Sequence, residues 1–244
     1  MYQRRTRGKP YGFEFENCVV CTGRGDRFFC NLQPAALAAF ERLAFATSYP
    51  RGAVLFSEGQ VVHGVFLVCR GSVKMSISGA DGKTLIAHIA GPGEALGLSS
   101  AFTGNPYKAT AETLEPAKIS FMRRDDFLRF VGEHQDACLR AARQVSHECE
   151  AESDHIRALG LSHSVTEKLA HLLLSWCNER GKESEGGTRL QLLMTHEDIS
   201  QLIGTSRETV TRLLKDFRTR GIVAVRGSTL TVLSKSALQA LVQL

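Results

Sequence analysis

The residues with the greatest chemical capacity are crowded at one end of the chain. Residues 17–30 read "NCVVCTGRGDRFFC", so Cys18, Cys21 and Cys30, three of the seven cysteines in 244 residues, fall within fourteen. Two thiols separated by two residues can grip one metal ion, and thiolates suit zinc and iron–sulfur clusters. Arg24 and Arg27 lie between the thiols, and a nearby guanidinium favours the thiolate. The same spacing fits two other outcomes. One is a dithiol–disulfide switch at Cys18/Cys21; the other is an unliganded arm whose Phe13, Phe15, Phe28 and Phe29 pack on a core, with the thiols as bystanders. Single, irregularly placed cysteines such as Cys177 look like small buried hydrophobes rather than a disulfide framework.

A second group, near the other end, can read nucleic acid. In "MTHEDISQLIGTSRETVTRLLKDFRTRG", Thr195 and Asp198 cap a short helix, Gly204 ends it, and Thr205-Ser206 turns into a second helix. The inward face of that helix is Val210, Leu213, Leu214 and Phe217. Two helices joined by a short glycine-containing turn form the helix-turn-helix pattern. Its second helix exposes Arg207, Glu208, Thr211 and Arg212: guanidinium forks match guanine O6 and N7, and a carboxylate accepts from cytosine N4. Thr205, Ser206 and Lys215 are placed for phosphates. "GIVAVRGSTLTVL" then predicts two strands around Arg226-Gly227-Ser228, a basic hairpin wing whose tip lies against the DNA backbone. A lone amphipathic helix with a solvated charged face would carry similar charges, but not this cap, turn and hairpin in this order.

The elements that position these groups are legible in outline. From Tyr49 to about Phe121, turn signals punctuate runs in which apolar and polar residues alternate, which predicts a β-sandwich or roll. Ala80-Asp81-Gly82-Lys83 between "VKMSIS" and "TLIAHIA" predicts a tight hairpin. From Arg123 the spacing of Leu128, Val131, Cys138, Ala142, Val145, Cys149, Ile156 and Leu159 predicts one long helix with a narrow apolar stripe. Such a stripe suits a seam between two subunits, or one face packed on the roll, or both along one helix. Ser164 and Glu167 form a capping box for the next helix, and "GKESEGGTR" reads as a polar connection.

Composition narrows the function classes. With 43% hydrophobic residues the chain can bury a core, and no stretch approaches the roughly 18 apolar residues of a membrane span; a cytoplasmic protein without a membrane partner is expected. The net charge of +5 is compatible with a polyanionic partner. The eight histidines are scattered, with no His-Glu-x-x-His, Gly-x-Ser-x-Gly or P-loop, so no enzymatic activity is expected.

Roll, long helix and winged helix in this order, together with "GTSRETVTRLL", resemble the bacterial transcription regulators typified by the cyclic AMP receptor protein and the oxygen sensor FNR. The resemblance spans about residues 32–244. It implies an α+β chain: a cysteine-containing arm over 1–31, a cyclic-nucleotide-binding-like jelly roll over 32–124, a dimerisation helix over 125–160 and a winged helix-turn-helix over 161–244. It further implies a homodimer on a palindromic promoter site, with RNA polymerase as a partner. By motif position Arg207, Glu208 and Arg212 match the family's base-reading residues in the branch that reads TGTGA-like half-sites. The family's nucleotide cassette is matched by Gly93 and Glu94, with Glu94 on the ribose hydroxyl. Tyr107 and Lys108 stand where the family has Arg and Ser or Thr on the cyclic phosphate; lysine lacks the bidentate fork, so cyclic nucleotide is not the expected ligand. The oxygen-sensing branch holds a [4Fe-4S] cluster on three N-terminal cysteines, resembled by Cys18, Cys21 and Cys30, and a fourth whose position here is Ala117. Cys69 is the other cysteine of the roll.

Overall fold

The computed structural model describes Cys21, residues 28–161 and residues 164–242. Cys18 and the arm's Phe13, Phe15, Arg24 and Arg27 lie outside the described residues. The chain divides into two compact units, one holding residues up to Ser78 and Ala87–Glu150, the other Gly79–Ile86 and the residues from Ala151 on.

The first unit opens with a helical turn, Phe28–Asn31, and α1, Pro34–Leu43, ahead of the stretch from Tyr49 that the sequence marks as strands. Pro34 starts α1 at a position where its missing N–H costs nothing, and Ala36, Leu37, Ala39 and Phe40 are buried. The roll follows as β1 (Phe45–Tyr49), β2 (Val54–Phe56), β3 (Gly64–Arg70), β4 (Val73–Ser78), β5 (Thr84–Ala90), β6 (Ala95–Leu96), a short α2 (Leu98–Thr103), β7 (Thr110–Thr113) and β8 (Ala117–Arg123). Its strands form two four-stranded sheets, β1-β8-β3-β6 and β2-β7-β4-β5. The predicted hairpin joins β4 to β5: Gly79 N–H donates to Lys83 C=O at 2.8 Å and Lys83 N–H to Asp81 Oδ1 at 3.2 Å. Only Gly82 in that turn takes positive φ, +79°.

Where one helix was expected from Arg123 there are two. α3 runs Arg124–Glu133 and α4 Gln135–Leu161, broken at His134, whose backbone is extended (φ −123°, ψ 98°). Phe127, Phe130 and Val131 hold α3 to the core of the first unit, Phe130 meeting Phe40 of α1 edge-on at 5.9 Å. α4 carries two faces, and the one it buries is not the stripe expected from the sequence. Ala137, Ala141 and Gln144 are buried, while Cys138, Ala142, Cys149 and Ile156 are exposed, Ile156 at 69%. Positions 138, 142, 145, 149 and 156 step by four, three, four and seven residues, a spacing compatible with a helix–helix seam.

The second unit contains α5 (Val165–Arg180), β9 (Lys182–Ser184), β10 (Gly187–Gln191), α6 (His196–Ile203), α7 (Arg207–Thr219), β11 (Val223–Arg226), β12 (Thr229–Val232) and α8 (Lys235–Val242). Ser164 caps α5 by accepting from Glu167 N–H at 3.1 Å. The stretch expected to be a plain connection instead forms the hairpin β9–β10, which extends the wing into a sheet of order β11-β12-β10-β9. Thr188 and Leu190 alternate inward from β10, and Gly187 is required: its φ is +117° and a Cβ there would sit 2.2 Å from Val232 C=O. In α5, Cys177 is buried, as its apolar neighbours suggest.

Candidate functional site

α7 is held by its greasy side so that its charged side faces out. Val210, Leu214 and Phe217 are buried and Leu213 is half-buried, whereas Ser206, Arg207, Glu208, Thr211, Arg212 and Lys215 are exposed and Thr205 is half-buried. The chain reaches this geometry through local signals. Thr195 and Asp198 complete a reciprocal capping box at the start of α6, and Gly204 closes α6 in the left-handed region at φ +64°, its N–H donating to Ser200 C=O. Thr205 N–H donates to the same carbonyl at 3.0 Å. Ser206 then caps α7, its hydroxyl accepting from Thr209 N–H at 3.3 Å. Ser206→Ala is expected to cost about 1 kcal/mol and to fray the turn bearing Arg207 and Glu208, seen as a lower melting temperature of the full chain with weaker DNA binding.

Electrostatics favour the predicted chemistry. Glu208 is held below the usual carboxylate range by backbone and Ser206 hydrogen bonds and by neighbouring Arg207, so it is an acceptor at neutral pH. Thr211 is more constrained than its exposure suggests. Its hydroxyl donates to Arg207 C=O at 2.9 Å and meets His196 Nδ1 at 2.8 Å. With the hydroxyl proton given to the carbonyl, His196 carries its proton on Nδ1, and Thr211 has its methyl left to offer a base. His196 thus ties α6 to the exposed face of α7, a contact that sequence spacing did not reveal.

The wing is braced. Arg226 is exposed at the end of β11, Gly227 takes φ +58°, and Ser228 is held by Gln191 Nε2 and Leu192 N–H, each at 2.7 Å. Arg207, Glu208, Arg212, Lys215 and Arg226 all belong to one unit, on elements fixed by cap, core or sheet.

In the roll, the four residues matched to the nucleotide cassette do not act together. Gly93 has φ +91° and its N–H donates to Val68 C=O. Glu94 is buried, with its carboxylate 2.7 Å from His88 Nε2 on β5. Tyr107 is engaged in the roll itself: its ring stacks on Phe56 at 3.9 Å and its hydroxyl donates to Gly64 C=O at 2.7 Å. Burial raises the phenol above its ordinary range, so it stays a donor there. It fills core space, as Gly97 shows: a Cβ on Gly97 would lie 2.8 Å from the Tyr107 ring. Lys108 is exposed.

Gln144 is the residue that sequence reasoning missed outright. This buried α4 side chain accepts from Ala95 N–H at 2.9 Å and donates to Ala95 C=O at 2.8 Å, beside Glu94. It also donates to Glu148 Oε1 at 2.6 Å. It covers the backbone of β6, an edge strand, whose open groups need partners.

Of the arm's thiols, Cys21 and Cys30 are half-buried. Cys21 interacts electrostatically with Cys69 on β3. Ala117 is fully buried in the roll core. Among the described residues no three metal-ligating side chains converge.

Comparison with known proteins agrees with this geometry. Residues 46–134 match the cyclic nucleotide-binding domain and residues 167–241 the Crp-like helix-turn-helix domain. The chain is 29% identical over 231 residues to the transcriptional activatory protein AadR of Rhodopseudomonas palustris, covering 94% of each. It is 26% identical over 204 residues to a CRP-like cAMP-activated global transcriptional regulator of Mycobacterium tuberculosis, covering 84% of this chain and 91% of the relative. The solved structure of FixK2 from Bradyrhizobium japonicum superposes with a TM-score of 0.70 at 24% identity, over 81% of this chain and 96% of that one, which speaks to the fold. With both domains matched in the order the fold displays them, the chain belongs to the Crp/Fnr family of transcription regulators.

Proposed function

We propose that the protein acts as a homodimer on a palindromic promoter site with TGTGA-like half-sites, regulating RNA polymerase there, and takes its signal through cysteine-bound iron–sulfur chemistry in the N-terminal unit. The observation that carries the DNA reading is the face of α7: Arg207, Glu208 and Arg212 exposed on one side, with Val210, Leu214 and Phe217 anchoring the other. A helix so held offers two forks and one acceptor to base edges. Two copies are favoured by the exposed apolar stripe of α4, since a two-stranded seam needs this spacing, and a palindrome mirrors two-fold symmetry. Binding to promoter fragments should weaken steeply with added salt, because phosphate contacts release counterions; binding insensitive to salt contradicts the reading.

For the signal, Tyr107 weighs against a cyclic nucleotide held in the family's manner, since its hydroxyl and ring are already engaged in the core. A bidentate fork is what a cyclic phosphate needs. Titration calorimetry with cyclic AMP and cyclic GMP is expected to show no binding to the wild-type chain. The buried Glu94 and the matched nucleotide-binding domain favour a second reading, a small ligand in the roll, and heat released by either nucleotide would establish it in place of the first.

A further inference from the structure

Thr211 is tethered twice although it is exposed. A threonine inside a helix divides between two side-chain rotamers, because its hydroxyl can bond a carbonyl one turn back. On α7 the hydroxyl does so, donating to Arg207 C=O at 2.9 Å. A second group holds it there: Nδ1 of His196, 2.8 Å away on α6. The hydroxyl has one proton, already given to the carbonyl, so the second bond runs from His196 Nδ1–H to Oγ1. The donor is anchored in turn. His196 is the first residue of α6, directly after Thr195, whose capping box with Asp198 fixes the start of that helix.

With Oγ1 turned to the backbone of α7 and to α6, the branch of Thr211 left for a partner is its methyl, Cγ2. Arg207 one turn back, Lys215 one turn on and the adjacent Arg212 are exposed with it. In the major groove the base edges present hydrogen-bond donors and acceptors and one apolar group, the C5-methyl of thymine, for which a threonine methyl is a matching contact. We propose that Thr211 reads a thymine methyl in each half-site through Cγ2, with His196 as the positioning residue that holds this methyl outward. The assignment rests on α7 reading bases as proposed above, and adds to it an apolar contact and a residue from the other helix of the motif. Readout through the hydroxyl, which the residue type alone would suggest, is opposed by the bonds that already occupy its proton and one of its lone pairs.

The test is fluorescence anisotropy of the full chain on duplexes carrying its selected site, with each thymine of the half-site replaced in turn, in both half-sites, by deoxyuridine, which lacks only the methyl. Wild type is expected to lose about four-fold in affinity per half-site at one thymine, or about fifteen-fold for the symmetric duplex, the worth of one buried methyl-sized group. Thr211→Ser keeps the hydroxyl and both its bonds and is expected to be indifferent at that thymine, whereas Thr211→Val keeps the methyl and the loss. His196→Ala is expected to shrink the loss, and adding Thr211→Val to it to restore the loss, because the helix alone fixes the rotamer of valine; a merely structural role for His196 gives no such rescue. A wild type indifferent at every thymine, a Thr211→Ser profile equal to it, or a Thr211→Val that loses the sensitivity overturns the assignment and leaves base reading by Arg207 standing. A His196→Ala profile equal to that of wild type removes the positioning role. A wild type that selects no sequence overturns the reading of α7 as well.

Discussion

Arg207→Ala is expected to cut discrimination between a cognate site and random DNA steeply while leaving the fold intact. Arg207 is exposed at the first position of α7 and makes no core contact, so its removal opens no cavity. A bidentate arginine–guanine contact is worth about 1–3 kcal/mol of discrimination. A palindrome presents it twice, so the loss is about 2–6 kcal/mol, or roughly 30-fold to 20,000-fold in affinity ratio. Lys215→Ala is the contrast. It is exposed two turns further along α7, and if it serves phosphates its loss weakens all sequences about equally and shallows the salt dependence. Fluorescence anisotropy on cognate and scrambled duplexes at several salt concentrations separates the two; equal effects of both variants on both duplexes would remove Arg207 from the base-reading set.

Gln144→Leu is expected to produce the largest effect in the sensor unit. The side chain satisfies both backbone groups of Ala95, a residue only 2% exposed. Leucine keeps the volume and supplies neither partner. A buried polar group left unsatisfied costs about 1–3 kcal/mol, so two cost about 2–6 kcal/mol, enough to loosen α4 from β6 or to lower the unfolding midpoint by several degrees. Because Ala95 follows Glu94 directly, the same bonds join the cassette turn to the helix that carries the apolar stripe. The variant should therefore uncouple DNA binding from the state of the N-terminal unit as well as destabilise it. Gln144→Glu keeps one acceptor and is expected to lie between; melting both variants beside wild type checks the order.

How far the sequence carried depended on whether a residue's partner is local. The helix-turn-helix was legible because cap, glycine and turn are all within a few residues: Thr195 with Asp198, Gly204, Ser206 with Thr209. The β4–β5 hairpin was legible for the same reason. Segments whose stability comes from distant neighbours were not. β9–β10 is polar outside its two inward residues and exists because β10 pairs with β12. The break at His134 comes from packing of α3 on the roll, which no local signal announces. Gln144 looks like a solvated helix residue until the edge strand it covers is known, and Tyr107 marked a missing arginine without showing that its ring stacks on Phe56.

The central claim, a family regulator reading bases through α7, is tested most directly by selecting the full chain's preferred sites from a random duplex library, wild type beside Arg207→Ala. The expected result is an inverted repeat of TGTGA-like half-sites spaced about one helical turn, roughly 10 base pairs, apart, with one G·C pair in each half-site losing its enrichment in the variant. No enriched sequence for the wild type, or an enriched site that Arg207→Ala selects just as well, would contradict it.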